Sequence, residues 1–195
     1  MFLRLVIALA RDDTAGAVEE AEAAIAKVRE VRAGDSLAIA NPLAHYATAL
    51  CLTGRVRDAN EVADELMKVV SENVSMIGSS WPDVAVSLSR LGRGRDLLDS
   101  LSTAPATPWS KAATHYVLGE FAAAADDFAQ LGSLRLEADA RLRAAGALVA
   151  EGRRGEADAH LQRALAFYRS VGATRYIREG EALLSPAGEA TAQPG

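Results

Sequence analysis

The sequence predicts an all-α fold built from antiparallel helical hairpins, on three observations. A turn glycine recurs in fixed company: Gly54, Gly92, Gly119 and Gly152 each follow an alanine seven positions earlier, at Ala47, Ala85, Ala112 and Ala145. Five positions after each glycine stands Ala59, Leu97, Ala124 or Ala157; nine after, Ala63, Leu101, Phe128 or Leu161; twelve after, Leu66, Ala104, Leu131 or Ala164. The glycines lie 27 to 38 residues apart, the length of a two-helix repeat unit. Half of the 195 residues are apolar but only 5% are aromatic, because alanine carries the apolar fraction. Alanine has the highest helix propensity and lets helix axes approach closely. No alternation of Val, Ile, Thr or aromatic residues persists for five positions, so strand signals are missing.

The repeated positions have a simple physical logic. The small residue before the glycine lies where the two helices of a hairpin cross, and a larger side chain there would push them apart. The glycine ends the first helix in a left-handed conformation that costs other residues roughly 1 kcal/mol or more. The small residue after it lets the second helix return against the first. The two later positions, three residues apart, share that helix's buried stripe.

Taken in order, residues 2–11 and 14–32 read as a loose first pair, with Ala15-Gly16-Ala17 near its turn. End units of arrays are atypical because one face has no neighbour. A break at Ala33-Gly34-Asp35-Ser36 stops the second helix and supplies caps for the next. The second pair covers about 36–53 and 56–71, with Asn41 and Pro42 restarting its first helix as cap and first-turn residue. Ser79-Ser80-Trp81-Pro82-Asp83 opens the third pair with serine, proline and acid where a helix start favours them, and its short second helix spans about 94–102. The fourth pair spans about 108–118 and 120–131, and the fifth 134–151 and 154–171. A capping helix at 174–184 closes a single domain of about ten or eleven helices over residues 1–184, and Ser185–Gly195 reads as a disordered tail.

At 20.5 kDa the chain is large enough to remove roughly 70% of its extended surface from water without a disulfide or metal staple. A net charge of −5, mixed along the chain, argues against nucleic acid as the main ligand. Cys51 is the one cysteine, which fits a reducing cytoplasm. The opening MFLRLVIALARDD has a short apolar core followed at once by Asp12 and Asp13, so it reads as the first helix rather than a leader, and no other stretch approaches a membrane span.

The offsets around the turn glycines resemble those of tetratricopeptide repeats, and Trp81 stands eleven before Gly92, where that family often carries tryptophan. Leu66 and Leu131 occupy a usual alanine position, Leu97 replaces the second alanine, and the closing proline is matched only loosely by Pro108, so tetratricopeptide-like α-α superhelix describes the pattern. Residues 132–184, above all SVGATRYIREGEALL at Ser170–Leu184, resemble the carboxy-terminal region of bacterial, mainly actinobacterial, signalling proteins. Those proteins join an adenylate/guanylate cyclase domain, an ATPase module and a helical repeat region; related transcriptional regulators carry similar tails. The resemblance implies a cytoplasmic regulatory domain. It brings no active-site residue, because the phosphate loop and the cyclase's metal-binding aspartates have no counterpart here. The chain is then a stand-alone module, a truncated relic or an excised domain of such a regulator.

No residue set in the sequence amounts to an active site, and no enzyme activity, metal or cofactor is expected. His45, His115 and His160 fall in three hairpins, none spaced with a second ligand, and Cys51 reads as a structural thiol rather than a partner of His45. The loop LGRGRD at 91–96 lacks the strand, lysine and hydroxyl residue of a phosphate loop and reads as a repeat turn. Arg55, Arg57, Arg93, Arg95, Arg153 and Arg154 follow turn glycines and line one edge. In the tetratricopeptide register the inner groove runs from Asn41, Ala44, Thr48, Cys51 and Leu52, through Val86, Ser89 and Arg90, to Trp109, Tyr116 and Asp139. Arg90, Trp109, Tyr116 and Asp139 are its candidate anchors, residue types that dominate binding energy at interfaces. The expected function is a non-catalytic module for protein or peptide contact in signalling or transcription control, with self-association through the array ends as a further contact. The alternative is a small-molecule sensor with Arg90 and Asp139 in its pocket.

Overall fold

The computed structural model describes residues 2–32 and 35–184; the tail expected at 185–195, and Ala33 and Gly34 of the expected break, lie outside the described residues. Among those described, the chain forms eleven α-helices and no strand. They are α1 (Phe2–Ala10), α2 (Thr14–Val31), α3 (Ala40–Leu52), α4 (Val56–Glu72), α5 (Trp81–Arg90), α6 (Leu98–Thr103), α7 (Pro108–Leu118), α8 (Phe121–Gln130), α9 (Leu134–Ala150), α10 (Arg154–Ser170) and α11 (Thr174–Leu184). Short 3-10 turns at Ser36–Ile39, Val74–Met76, Gly78–Ser80 and Gly94–Leu97 join them. No described helix is long and apolar enough to cross a membrane.

Local chemistry sets the helix ends. Asp13 caps α2 by accepting the Gly16 N–H at 2.9 Å. Thr107 and Ser110 form a reciprocal capping box at the start of α7, with Pro108 at its first position. Gly119 closes α7 in the left-handed region (φ 82°), which turns the Glu120 N–H back onto the His115 carbonyl at 2.9 Å. The Asn41-Pro42 expectation changes slightly. A 3-10 turn leads directly into α3 at Ala40, so Asn41 lies within the helix rather than capping it, and its carbonyl accepts from the His45 ring.

The first hairpin departs from the sequence expectation in an informative way. Gly16 does not make its turn; it sits inside α2. Asp12 makes it, as the one described non-glycine residue with positive φ, at 67°. Aspartate enters this region more readily than most non-glycine residues, and here its carboxylate is held by Arg175 and Arg178. Counted from Asp12, the repeat register falls into place. Leu5 lies seven before, and Ala17, Ala21 and Ala24 lie five, nine and twelve after, none more than 2% exposed.

The helices pair as α1 with α2, α3 with α4, α7 with α8 and α9 with α10, and each pair packs on the next. The third unit is abbreviated: α5 folds against the Gly94–Leu97 turn and passes directly to α7, with α6 beside α7. Ala47, Ala59, Ala85, Ala112, Ala124, Ala145 and Ala157 are all at most 1% exposed, as is Leu97. The array does not stay open. α11 returns to α9 and α10 and also touches α1, so the first and last helices meet.

Replacing Ala145 by leucine is expected to lower the unfolding free energy by roughly 1–3 kcal/mol, because α9 and α10 meet there without room for a larger side chain. Gly119→Ala is expected to cost about 1–2 kcal/mol through its left-handed backbone alone, since nothing within 4 Å would meet the new methyl group. Urea denaturation of each variant measures both.

Candidate functional site

Arg90 ends α5, Tyr116 lies in α7 and Asp139 lies near the start of α9. The fold brings these three expected groove residues into one contact. The Arg90 Nη2 lies 2.8 Å from Asp139 Oδ1, and the Tyr116 hydroxyl donates to Asp139 Oδ2. Burial alone would raise the Asp139 pKa. The charges of Arg90 and Arg143, with the Tyr116 hydrogen bond, outweigh it and hold the carboxyl below its usual range. Burial, with Asp139 next, pushes the Tyr116 phenol well up. The Arg90 guanidinium also lies 5.7 Å from the ring centre of Tyr176, which stacks on Tyr168 at 4.8 Å.

A second polar contact lies beside the first. Asp83, expected only as a helix-start acid, turns its carboxylate inward and accepts from Arg135 of α9. His45 of α3 donates from Nδ1 to the Asn41 carbonyl at 3.1 Å, and its Nε2 lies 3.7 Å from Asp83. Burial lowers the His45 pKa, and Asp83 only partly opposes this because Arg135 acts in the same direction as burial.

His45, Asp83, Arg90, Arg135 and Asp139 form the polar floor of an inner cavity of about 440 Å³. Thr48, Val86, Arg90, Arg135 and Asp139 line it from α3, α5 and α9. Val6, Ile7, Leu9 and Ala10 of α1 cover one side, and Phe167, Tyr168, Val171, Ala173 and Tyr176 cover the other. The closure is fastened at Asp12, whose carboxylate accepts from Arg175 and Arg178 of α11. What the sequence register offers as an open groove is a partly covered pocket with apolar walls and ionic groups at its base.

Trp109 does not join this site. It is half-buried and packs against the main core, outside the lining of the cavity. Cys51 is half-buried rather than fully buried, with its Sγ 3.8 Å from the Arg90 carbonyl. His115 and Lys111 both reach Asp127, at 2.8 and 2.9 Å, and His160 lies beside Arg141. Along the expected basic edge, Arg55, Arg57, Arg93 and Arg153 are each paired with carboxylates. Among the described residues no cluster of three His, Cys, Asp or Glu side chains is placed to hold a metal ion.

Fold and site together define a helical-hairpin array closed around an inner cavity. The chain matches no protein-family model, no curated protein and no solved structure. The geometry can hold a molecule by an apolar body, with hydrogen bonds and charge at one end.

Asp139→Asn removes the countercharge of a buried guanidinium and is expected to cost about 3–5 kcal/mol of stability, measurable by urea denaturation at pH 7. His45 gives a second expectation. Its pKa in the fold lies below the ordinary 6.5, so below pH 6.5 the unfolded chain binds more protons than the folded one. Stability therefore falls as pH drops from 7 to 5. Half-buried His160 shifts in the same direction and supplies part of that fall. Thermal melts of His45→Gln across this range should show a shallower decline than wild type.

Proposed function

We propose that this chain is a non-catalytic helical-repeat binding module with a regulatory role, and that its occupant is one small amphipathic organic molecule held in the inner cavity. The carrying observation is that α1 and α11 partly cover the groove and leave a volume typical of small-molecule sites. Apolar walls suit a hydrocarbon or aromatic body. Thr48, Arg90, Arg135 and Asp139 offer donors and acceptors to its polar end. The resemblance of residues 132–184 to the tails of cyclase–ATPase regulators supports a signalling setting in the cytoplasm, as does the single cysteine.

Protein or peptide contact is the second reading, and the fastening of α1 favours it. Asp12 with Arg175 and Arg178 sits at the rim, so release of that contact would uncover the groove along α3, α5 and α9. A basic edge for nucleic acid has little support, since four of its six arginines are already paired with acids. Self-association by end stacking is weakened too, because α1 and α11 occupy part of each other's free face.

The test uses 1-anilinonaphthalene-8-sulfonate as an amphipathic probe. One equivalent should bind the folded protein saturably, and Val86→Trp, which fills the cavity, should abolish binding while far-ultraviolet circular dichroism and a cooperative urea transition stay native. Undiminished binding by Val86→Trp would remove the cavity as the site. A protein partner captured equally by wild type and Val86→Trp, but lost on substituting the outer surface, would replace this reading with the contact reading.

A further inference from the structure

The charge that a molecule in the inner cavity meets differs from the charge of its floor as a whole. Asp83 and Asp139 are turned into the wall, with side chains only 12% and 7% exposed, and each is answered there by an arginine. Arg90, at 10%, is committed to Asp139 and to the Tyr176 ring, and its Nε is sealed from solvent. His45 brings no charge at neutral pH, because burial lowers its pKa. Arg135 differs from all of these. It gives Nη2 to Asp83, and its side chain is 40% exposed where it lines the cavity. Its Nε and Nη1 have no partner among the described residues, and neither is sealed as the Arg90 Nε is.

Arg11 adds to this field. It follows the end of α1, lines the same cavity, is exposed, and makes no ion pair among the described residues. Its acidic neighbours are already engaged, Asp12 by Arg175 and Arg178 and Asp13 by the start of α2. The lining therefore carries Arg11, Arg90 and Arg135 against Asp83 and Asp139, an excess of one positive charge in a chain whose net charge is −5. That excess is also the accessible part. A cation would meet guanidinium groups and find both carboxylates covered, and a neutral molecule would leave the charge unanswered. A single negative charge complements it, with N–H groups of Arg135 free to bond its oxygens. The remaining wall is apolar, and Ile7 and Val171 keep large exposed hydrophobic surface beside it.

We propose that the occupant of the inner cavity is an organic acid carrying one negative charge. Its acid group sits on the open N–H groups of Arg135, its apolar body lies between α1 and the wall of Phe167 and Tyr168, and Arg11 supplies the uncompensated charge. This inference rests on the inner-cavity reading and adds the sign of the ligand to it.

Three molecules with one body separate charge from shape: 4-phenylbutyrate, 4-phenylbutanol and 4-phenylbutylamine, each titrated calorimetrically into the full chain at pH 7. The acid should bind about tenfold more tightly than the alcohol, the scale of one charge-assisted hydrogen bond, and the amine should bind most weakly. Arg11→Gln should narrow the acid's preference about threefold, the scale of an exposed charge pair, with the alcohol unchanged. Arg135→Gln combined with Asp83→Asn removes opposite charges together and should abolish the preference. Each variant is scored by its own ratio of acid to alcohol affinity, so a change in basal stability does not enter. Equal binding of acid and alcohol, or tightest binding of the amine, with all binding lost in Val86→Trp, would overturn this inference and leave the cavity reading standing. An acid preference retained in the Arg135→Gln, Asp83→Asn variant would overturn it too. Binding that persists in Val86→Trp, or none by any of the three, would remove the cavity reading and this inference with it.

Discussion

Asp139 is the residue on which the interior depends. A carboxylate in an alanine-rich interior is tolerated only when its charge and both oxygens are answered, and here the answers come from two other helices. Arg90 arrives from 49 residues away and Tyr116 from 23. α5, α7 and α9 are therefore fixed relative to each other by direction-dependent bonds, which alanine packing alone cannot provide. The apolar seams set how closely helices approach. The ionic contact sets how they are rotated and displaced along one another.

That division explains why the inner surface carries chemistry at all. Small residues at the crossings bring successive hairpins close, and their inward faces crowd several arginines and aspartates together. Asp83 with Arg135 and Asp139 with Arg90 neutralise one another at the base of the first cavity. Arg143 is left with a free edge behind it because Glu179 reaches only one of its terminal nitrogens. Tyr168 and Tyr176 stack on each other within the wall of the first cavity, and the Arg90 guanidinium lies against the Tyr176 ring. The same helices thus build a polar floor and a greasy roof without a strand or a long loop.

Much of this architecture is legible in the residues. The glycine register marks the hairpins because left-handed turns and tight crossings leave few residue choices. Arg90, Tyr116 and Asp139 share the inner face for the same reason. Trp109 does not follow: it lies half-buried against the main core, outside the cavity lining, although it shares the helical phase of Tyr116. The role of Asp12 is hidden by its identity, since a rule keyed to glycine passes over an aspartate that adopts the same backbone. The inward turn of Asp83 and the closure by α1 depend on residues more than fifty and one hundred and sixty positions away. No local spacing records such contacts, and without them the sequence shows an open groove where the fold has a partly covered cavity.

The meeting of α1 with α11 also changes what kind of folding unit this is. An open array behaves as a one-dimensional chain of neighbours, in which an end unit can fray while the rest persists. Here the bonds from Asp12 to Arg175 and Arg178 span 163 and 166 residues, so the terminal hairpins are each other's neighbours. Such long-range closure slows the search for the native state, since much chain must be ordered before the last contact forms. In return, loosening at either end is felt at the other, and the array unfolds more as a ring than as a row.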